Sequence, residues 1–331
     1  MENTASLAVH ESAYPERTRK RIAEALMRRE IEPSLLYSGL RQTVRWTALH
    51  HAISPAQRDP AFTGIYESAF GEIARAVRGN VVHVVSMACG DGTKDIRCLE
   101  ALRKSGRTVL YTAADFSFEM ALTARNNASH ALRGLQCTPL VCELAECPVL
   151  PAILKNFDPS GSERVLLFLG TIHNYWPPEI LRSLLYPLRS QDHLLISANL
   201  APAENYEAAL KNILLQYDNS PTRDWLMGAL SELDLSNADG TLNFSAVPSE
   251  EIPDLHRIEA SFVFGRARQI HLFDATSIFE AGAKLRVFYS YRFTPAHLRR
   301  FFKKAGLFIA QEWITPSQEE ALFLCRRETK P

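Results

Sequence analysis

Val81-Val-His-Val-Val-Ser-Met-Ala-Cys-Gly-Asp-Gly-Thr-Lys-Asp-Ile96 is the stretch on which the fold turns. It opens with an apolar run rich in β-branched residues, the composition of a buried strand. A tight Gly-Asp-Gly turn follows, and then a helix. Glycines at Gly90 and Gly92 let the backbone bend sharply and approach a ligand with no Cβ in the way. A second strand is predicted over 109–114, and it ends on Asp115. An acidic residue at that remove, past a helix, is what a doubly wound nucleoside site needs to hold two ribose hydroxyls. The turn is not Gly-x-Gly-x-x-Gly, so a ligand without phosphate fits better than a pyrophosphate gripped by a helix N-terminus. S-adenosylmethionine (SAM) joins adenine and ribose to a methionine tail and carries no phosphate.

Bulk properties set wider limits. A chain of 331 residues allows one large or two modest domains with ample core. Apolar residues make up 46% and charged residues 22%, which is ordinary for a globular protein. Lys+Arg and Asp+Glu are equal at 37 each, so bulk charge points to neither nucleic acid nor an acidic membrane as partner. No apolar run approaches the roughly 20 residues of a membrane span, and the first residues lack the pattern of a signal peptide. A cytoplasmic protein acting on a small molecule is expected. Six cysteines in such a chain do not make a disulfide scaffold. Cys137, Cys142 and Cys147 are evenly spaced, but none belongs to a Cys-x-x-Cys pair. Structural thiols are expected there and no metal.

The pattern along the chain predicts an α/β protein with a mainly parallel, Rossmann-like sheet. Residues 1–60 read as a polar N-terminal helical region, with amphipathic stretches over 17–29 and 36–51. A helix over 66–77 precedes strands over 81–87, 109–114, 135–142, 165–169 and 193–199. Amphipathic stretches over 94–105, 118–130, 152–156 and 178–188 alternate with them, the rhythm of a sheet covered on both faces. After Asn199 the rhythm changes. Helices over 204–217 and 221–233 are followed by antiparallel strands over 255–264, 269–274 and 284–293, an α+β unit. Thr294-Pro295 is a good helix start, and strands over 308–314 and 321–326 resemble closing strands of the first sheet. The expected organisation is a SAM-binding domain over 61–200 and 294–331, with residues 201–293 inserted as a substrate-recognition cap.

Three constellations could carry chemistry. The first is the nucleoside cradle of Gly90, Asp91, Gly92 and Asp115, with Glu143 after the third strand within reach of an adenine amino group. Lys94, at the helix start, could pair with the methionine carboxylate. The plainer readings are a simple turn, a helix cap at Asp115 and a surface glutamate. The second is Phe168-Leu-Gly-Thr-Ile-His-Asn-Tyr-Trp176 beyond the fourth strand, where open α/β sheets bind ligands. It offers Gly170, Thr171, His173, Asn174 and Tyr175. Asn174 suits an amine or a carboxylate, and His173 is a general base or a histidine packed under Trp176. The third is the aromatic density of Tyr206, Tyr217, Trp225, Phe288, Tyr289 and Tyr291, which suits a sulfonium ion or ordinary sheet packing.

Taken in order, these segments resemble the SAM-dependent histidine Nα-methyltransferases of ergothioneine biosynthesis and their relatives acting on other amino acids. The likeness rests on Ala-Cys-Gly-Asp-Gly-Thr-Lys94, Asp115, Phe168 to Asn174, Leu215-Gln-Tyr-Asp218, Arg257-Ile-Glu259, Ser290-Tyr-Arg-Phe293 and the Lys-Ala-Gly-Leu307 segment through Trp313. It implies a class I methyltransferase fold with SAM as co-substrate. It further implies that Asn174 and Tyr217 hold an amino acid's amine and carboxylate, that Trp225 fills a pocket aromatic position, and that Ser290 reads the side chain. The departures are as informative. The glutamate that the family sets two residues before that serine is here Phe288. The asparagine after the pocket aromatic is Leu226, a pocket methionine is Ala260, and a Tyr-Tyr-Pro segment reads Ile53-Ser-Pro55. Histidine is therefore an unexpected acceptor.

The expected reaction is methyl transfer from SAM to the amine of a small or apolar amino acid, with Asn174, Tyr217 or water as proton acceptor. Intramolecular attack of the SAM amine on its own γ-carbon, giving azetidine-2-carboxylate and methylthioadenosine, is a second reading. A non-catalytic SAM-binding module is a third.

Overall fold

The computed structural model describes residues 6–53, 59–158, 161–250, 252, 254–272 and 275–328. They divide into two compact units, one of residues 1–13, 55–200 and 294–331, the other of residues 14–54 and 201–293. No described helix is long and apolar enough to cross a membrane.

The first unit is built on one eight-stranded sheet. Its strands are β1 (Ala8–Val9), β2 (Val81–Met87), β3 (Thr108–Asp115), β4 (Gln136–Val141), β5 (Glu163–Phe168), β6 (His193–Asn199) and two late strands, Leu307–Ile314 and Glu320–Arg327. The order is β1-β4-β3-β2-β5-β6, then Glu320–Arg327, then Leu307–Ile314 at the edge. Pairing is parallel from β1 to β6 and antiparallel across the last two ladders. β2 lies between β3 and β5, so the strand order reverses on either side of it, and ligands of open α/β sheets bind at such a switch point. This is the class I SAM-dependent methyltransferase architecture. The buried apolar runs of β2, β3 and β5 pack with helices Pro60–Ala76, Thr93–Lys104 and Phe118–Ala131 through Tyr66, Phe70, Leu99, Leu102 and Ala124. The helix Pro295–Lys304 starts with a full capping box, Thr294 and His297 each bonding the other's backbone. Thr294→Ala should cost about 1 kcal/mol in urea unfolding, the ordinary worth of such a cap.

The second unit has a three-stranded antiparallel sheet of β7 (Gly240–Pro248), β8 (His256–Phe264) and β11 (Lys284–Arg292), in the order β11-β8-β7. A separate hairpin joins β9 (Arg268–Leu272) and β10 (Ala275–Phe279). Helices Pro15–Arg28, Leu40–Ile53 and Ser220–Ser231 bury Leu26, Leu49, Trp225 and Leu226, and the 3-10 turn Pro33–Tyr37 buries Leu36, with Phe262, Phe264 and Phe288 of the strands. Residues Tyr14–Ser54 thus group with 201–293 rather than standing as a region of their own. Their amphipathic helices have apolar faces to bury, and the inserted segment supplies the matching surface.

Register decides which side chains share a face of β11. Arg286 lies opposite Ser261, but Phe288 lies opposite Ala260, so Val287 is the extra residue of a bulge. Arg286 is thereby turned to one face, with Glu259 and Tyr289. Phe288, Ser290 and Arg292 share the other. Without the bulge Arg286 would project beside Phe288.

Candidate functional site

The Gly-Asp-Gly turn leaves β2 through three left-handed residues, Ala88 (φ 57°), Gly90 (φ 56°) and Gly92 (φ 75°). Gly92 is fixed by packing as well, because a Cβ there would stand 3.0 Å from Ala124. Cys89 N–H donates to Ala114 at 3.1 Å, tying the turn to the end of β3. Asp91 Oδ1 accepts from Thr93 N–H at 3.0 Å and so folds the turn into the helix.

Asp115 ends β3 and closes this cradle. Its Oδ2 accepts the Gly90 N–H at 3.0 Å and its Oδ1 the Ser117 N–H at 2.9 Å. The helix cap is Ser117, not Asp115. Burial pushes the Asp115 carboxyl up to about 6, with the Glu143 charge adding to the rise and the Ser117 and Gly90 amides opposing it. Glu143 follows β4 and is buried, so the surface reading of that residue does not hold. Two buried carboxylates make an acidic cradle. Phosphate would be repelled there, whereas ribose hydroxyls and an adenine amino group are the donors such oxygens need. The residues therefore fit SAM.

Lys94 Nζ lies 3.1 Å from the Tyr66 hydroxyl and 4.9 Å from that ring's centroid. The same hydroxyl lies 2.7 Å from Glu320 Oε1 and 2.8 Å from Ser197 Oγ. Ser197 Oγ in turn accepts the Gly170 N–H at 2.7 Å. Burial holds the Tyr66 phenol well above its usual range, with the Glu320 charge adding to it. This chain of contacts fixes the end of β5 against the first turn of the Thr93–Lys104 helix. Sequence reading missed Tyr66, Ser197 and Glu320, which come from three distant segments that carry no shared motif.

Beyond β5, Gly170 takes φ 74° and Thr171 Oγ1 donates to the Leu169 carbonyl at 3.3 Å. A short 3-10 turn, Ile172–Asn174, follows. His173 is buried, and its Nε2 lies 3.2 Å from Asn199 Nδ2 on β6. That placement makes it a brace between strand ends. Tyr175 lies 6.2 Å from Phe168, centroid to centroid. Asn174 is 6% exposed, and its Oδ1 has no hydrogen-bond partner among the described residues. A buried acceptor left empty is costly, so the oxygen awaits a donor.

In the second unit, the Tyr217 ring stacks on Phe288 with centroids 5.6 Å apart, and Trp225 meets Phe288 edge-on at 5.9 Å. Tyr217 hydroxyl donates to Ser290 Oγ at 3.4 Å and accepts from the Arg292 guanidinium. Tyr217, Trp225, Phe288 and Ser290 are therefore brought together, with Arg292 added. Tyr206 instead secures the strands, donating to the Arg292 carbonyl at 2.6 Å and accepting the His256 N–H at 3.0 Å. Tyr289 and Tyr291 pack edge-on to one another at 5.6 Å, on the face away from Phe288. Ser54 and Pro55 lie outside the described residues, as do Phe273 and Asp274 at the end of the strand expected over 269–274.

The family model described as "Histidine-specific methyltransferase, SAM-dependent" matches residues 62–327. No curated protein matches the sequence. Among solved structures, the magnesium protoporphyrin IX methyltransferase ChlM of Synechocystis PCC 6803 with bound SAH is 13% identical, with a TM-score of 0.45, over 94% of this chain and 100% of that one. The CcbJ methyltransferase of Streptomyces caelestis is 14% identical, with a TM-score of 0.40, over 80% of this chain and 94% of that one. The 1,6-didemethyltoxoflavin-N1-methyltransferase of Burkholderia thailandensis is 12% identical, with a TM-score of 0.38, over 87% and 88%. Likeness at this level says nothing about the acceptor. The family match speaks for methyl transfer and lends no support to cyclisation of SAM.

Proposed function

The chain belongs to the SAM-dependent, histidine-specific methyltransferase family, and from that premise we propose that it methylates the amine of a small or apolar amino acid, with histidine a poor acceptor. The observation that carries the choice of acceptor is the face formed by Phe288, Trp225 and Tyr217. Its polar members are the Ser290 hydroxyl, already bonded by Tyr217, Tyr217 itself, the Arg292 guanidinium and the Trp225 indole N–H, and no carboxylate is among them. An imidazole set against such a face would leave N–H groups unpaired, at about 1–3 kcal/mol each.

Bound SAM supplies an electrophilic methyl group on its sulfonium. The chain's residues do the rest. Asp115 accepts from the ribose hydroxyls, Glu143 from the adenine amino group, and Gly90, Asp91 and Gly92 shape the turn beside them. Lys94, Gly170 and Thr171 line the cofactor side at the β5 end. Asn174 Oδ1 accepts one N–H of the neutral amine, which aims the nitrogen lone pair. The N–CH3 bond forms as the S–CH3 bond breaks, and the surplus amine proton passes to water. Such a displacement gains most of its rate from alignment and from exclusion of water. Trp225, Phe288 and Ser290 select the acceptor side chain.

The test is a panel of L-amino acids incubated with SAM, with S-adenosylhomocysteine (SAH) read by mass spectrometry. Apolar amino acids should turn over at least about tenfold better than histidine in kcat/KM. Histidine as the preferred acceptor would refute the proposal.

A further inference from the structure

Three arginines are buried among the described residues: Arg21, Arg164 and Arg292. Arg21 pairs with Glu32 and Arg164 with Asp192, each at 2.5 Å. Arg292 is 5% exposed and, among the described residues, has no carboxylate beside it. Its guanidinium carbon stands 4.9 Å from the Tyr217 ring centroid, and one terminal nitrogen donates to the Tyr217 hydroxyl. The Nε–H has no hydrogen-bond partner among the described residues. A cation withdrawn from water without an anion is among the least favourable arrangements in a protein interior. Half-buried Arg257 and Arg286, on the opposite face of the same sheet, both pair with Glu259. The Nε atoms of Arg257 and Arg286 also lack a hydrogen-bond partner among the described residues, but Glu259 neutralises both, and Arg292 differs from them in having no anion.

Its position is fixed from both sides. The strand end is held by Tyr206, which bonds the Arg292 carbonyl. Regular alternation from Phe288 onward puts Arg292 on the face of Phe288 and Ser290, where Tyr217 lies.

We propose that Arg292 is the carboxylate-binding residue of the acceptor site, taking the α-carboxylate of an amino acid in an ion pair at its unpartnered Nε edge, with the Tyr217 hydroxyl alongside. This rests on the reading of the acceptor as an amino acid. Guanidinium and carboxylate are both planar, so the pairing fixes orientation as well as charge. It also helps the chemistry. An α-carboxylate favours the protonated amine, and compensating it with Arg292 lets the nitrogen reach the neutral, nucleophilic form more readily.

The test compares acids with amines that differ only in the carboxylate: L-phenylalanine, L-leucine and L-alanine against phenethylamine, isoamylamine and ethylamine. Wild-type protein with SAM should favour the amino acids by about 100-fold or more in kcat/KM. Arg292→Met should bring them down toward the level of the amines, chiefly through KM, with a loss on the amino acids at least about tenfold larger than any loss on the amines. Arg292→Lys should recover part of the loss. Equal loss on acids and amines would show Arg292 to be only a support for Tyr217, and would overturn the proposal. So would wild-type protein that methylates the amines as readily, although amine methylation itself would then stand. Turnover of neither set would remove the amino-acid reading, and this proposal with it. The wild-type comparison needs no variant, so it decides even if Arg292→Met fails to fold.

Discussion

Asp115→Ala should weaken SAH binding by about 100-fold or more. Hydrogen bonds to an ionised group contribute about 1.5–3 kcal/mol each, and the ribose offers two. The loss is compounded inside the protein, because the Gly90 and Ser117 amides lose the acceptor that holds the turn. Titration calorimetry with SAH measures it, and a variant binding within about threefold of wild type would remove Asp115 from the cofactor site. The pH dependence has a definite sign. Burial raises the free carboxyl to about 6, and ribose donors stabilise the ionised form, so its value is lower in the complex. Affinity therefore rises with pH up to about 6 and then levels off. Asp115→Asn should flatten that profile. Asp95, also pushed up to about 6 by burial but bonded to Tyr111, remains as the internal control.

The second large effect is expected at Asn174. Its Oδ1 is buried with no hydrogen-bond partner among the described residues, so losing that oxygen removes no hydrogen bond from them. If its donor is the acceptor amine, Asn174→Ala should cut kcat about 100-fold, the scale of a lost positioning contact at the reacting atom. SAH affinity should stay within about threefold. Rapid-quench measurement of a single turnover separates this loss from product release. Undiminished chemistry in the variant would mean that the oxygen serves some other donor.

Much of the first unit could be read from the chain, and for a plain reason. Buried parallel strands are continuous apolar runs, and β6 was expected over the residues it occupies, His193–Asn199. The Gly-Asp-Gly turn and Asp115 were legible because a sharp turn and a strand-end carboxylate are local features. β1, only Ala8–Val9, was not legible, since two residues have no period. β7 was missed for another reason. Its side chains are half exposed and polar along the edge of the sheet, so Asn243, Ser245 and Pro248 mask the pairing with β8. Nor could sequence show Tyr66, Ser197 and Glu320 as one cluster, or Arg292 as a buried cation. Both depend on which distant segments the topology brings together. The bulge at Val287 matters most here. Period-2 counting through Arg286 assigns it to the wrong face.

The strand that closes the first sheet arrives late. β6 is flanked by Glu320–Arg327, which follows it by about 120 residues of chain. At a synthesis rate of about 5–20 residues per second, the open edge of β6 waits on the order of 6–24 s for its neighbour. During that time an apolar strand offers unpaired amides and carbonyls to any other nascent chain. The parallel half of the sheet, from β4 to β6, can form without it. Yield of active protein should thus depend on translation speed and chaperone supply more than on the equilibrium stability of the finished fold.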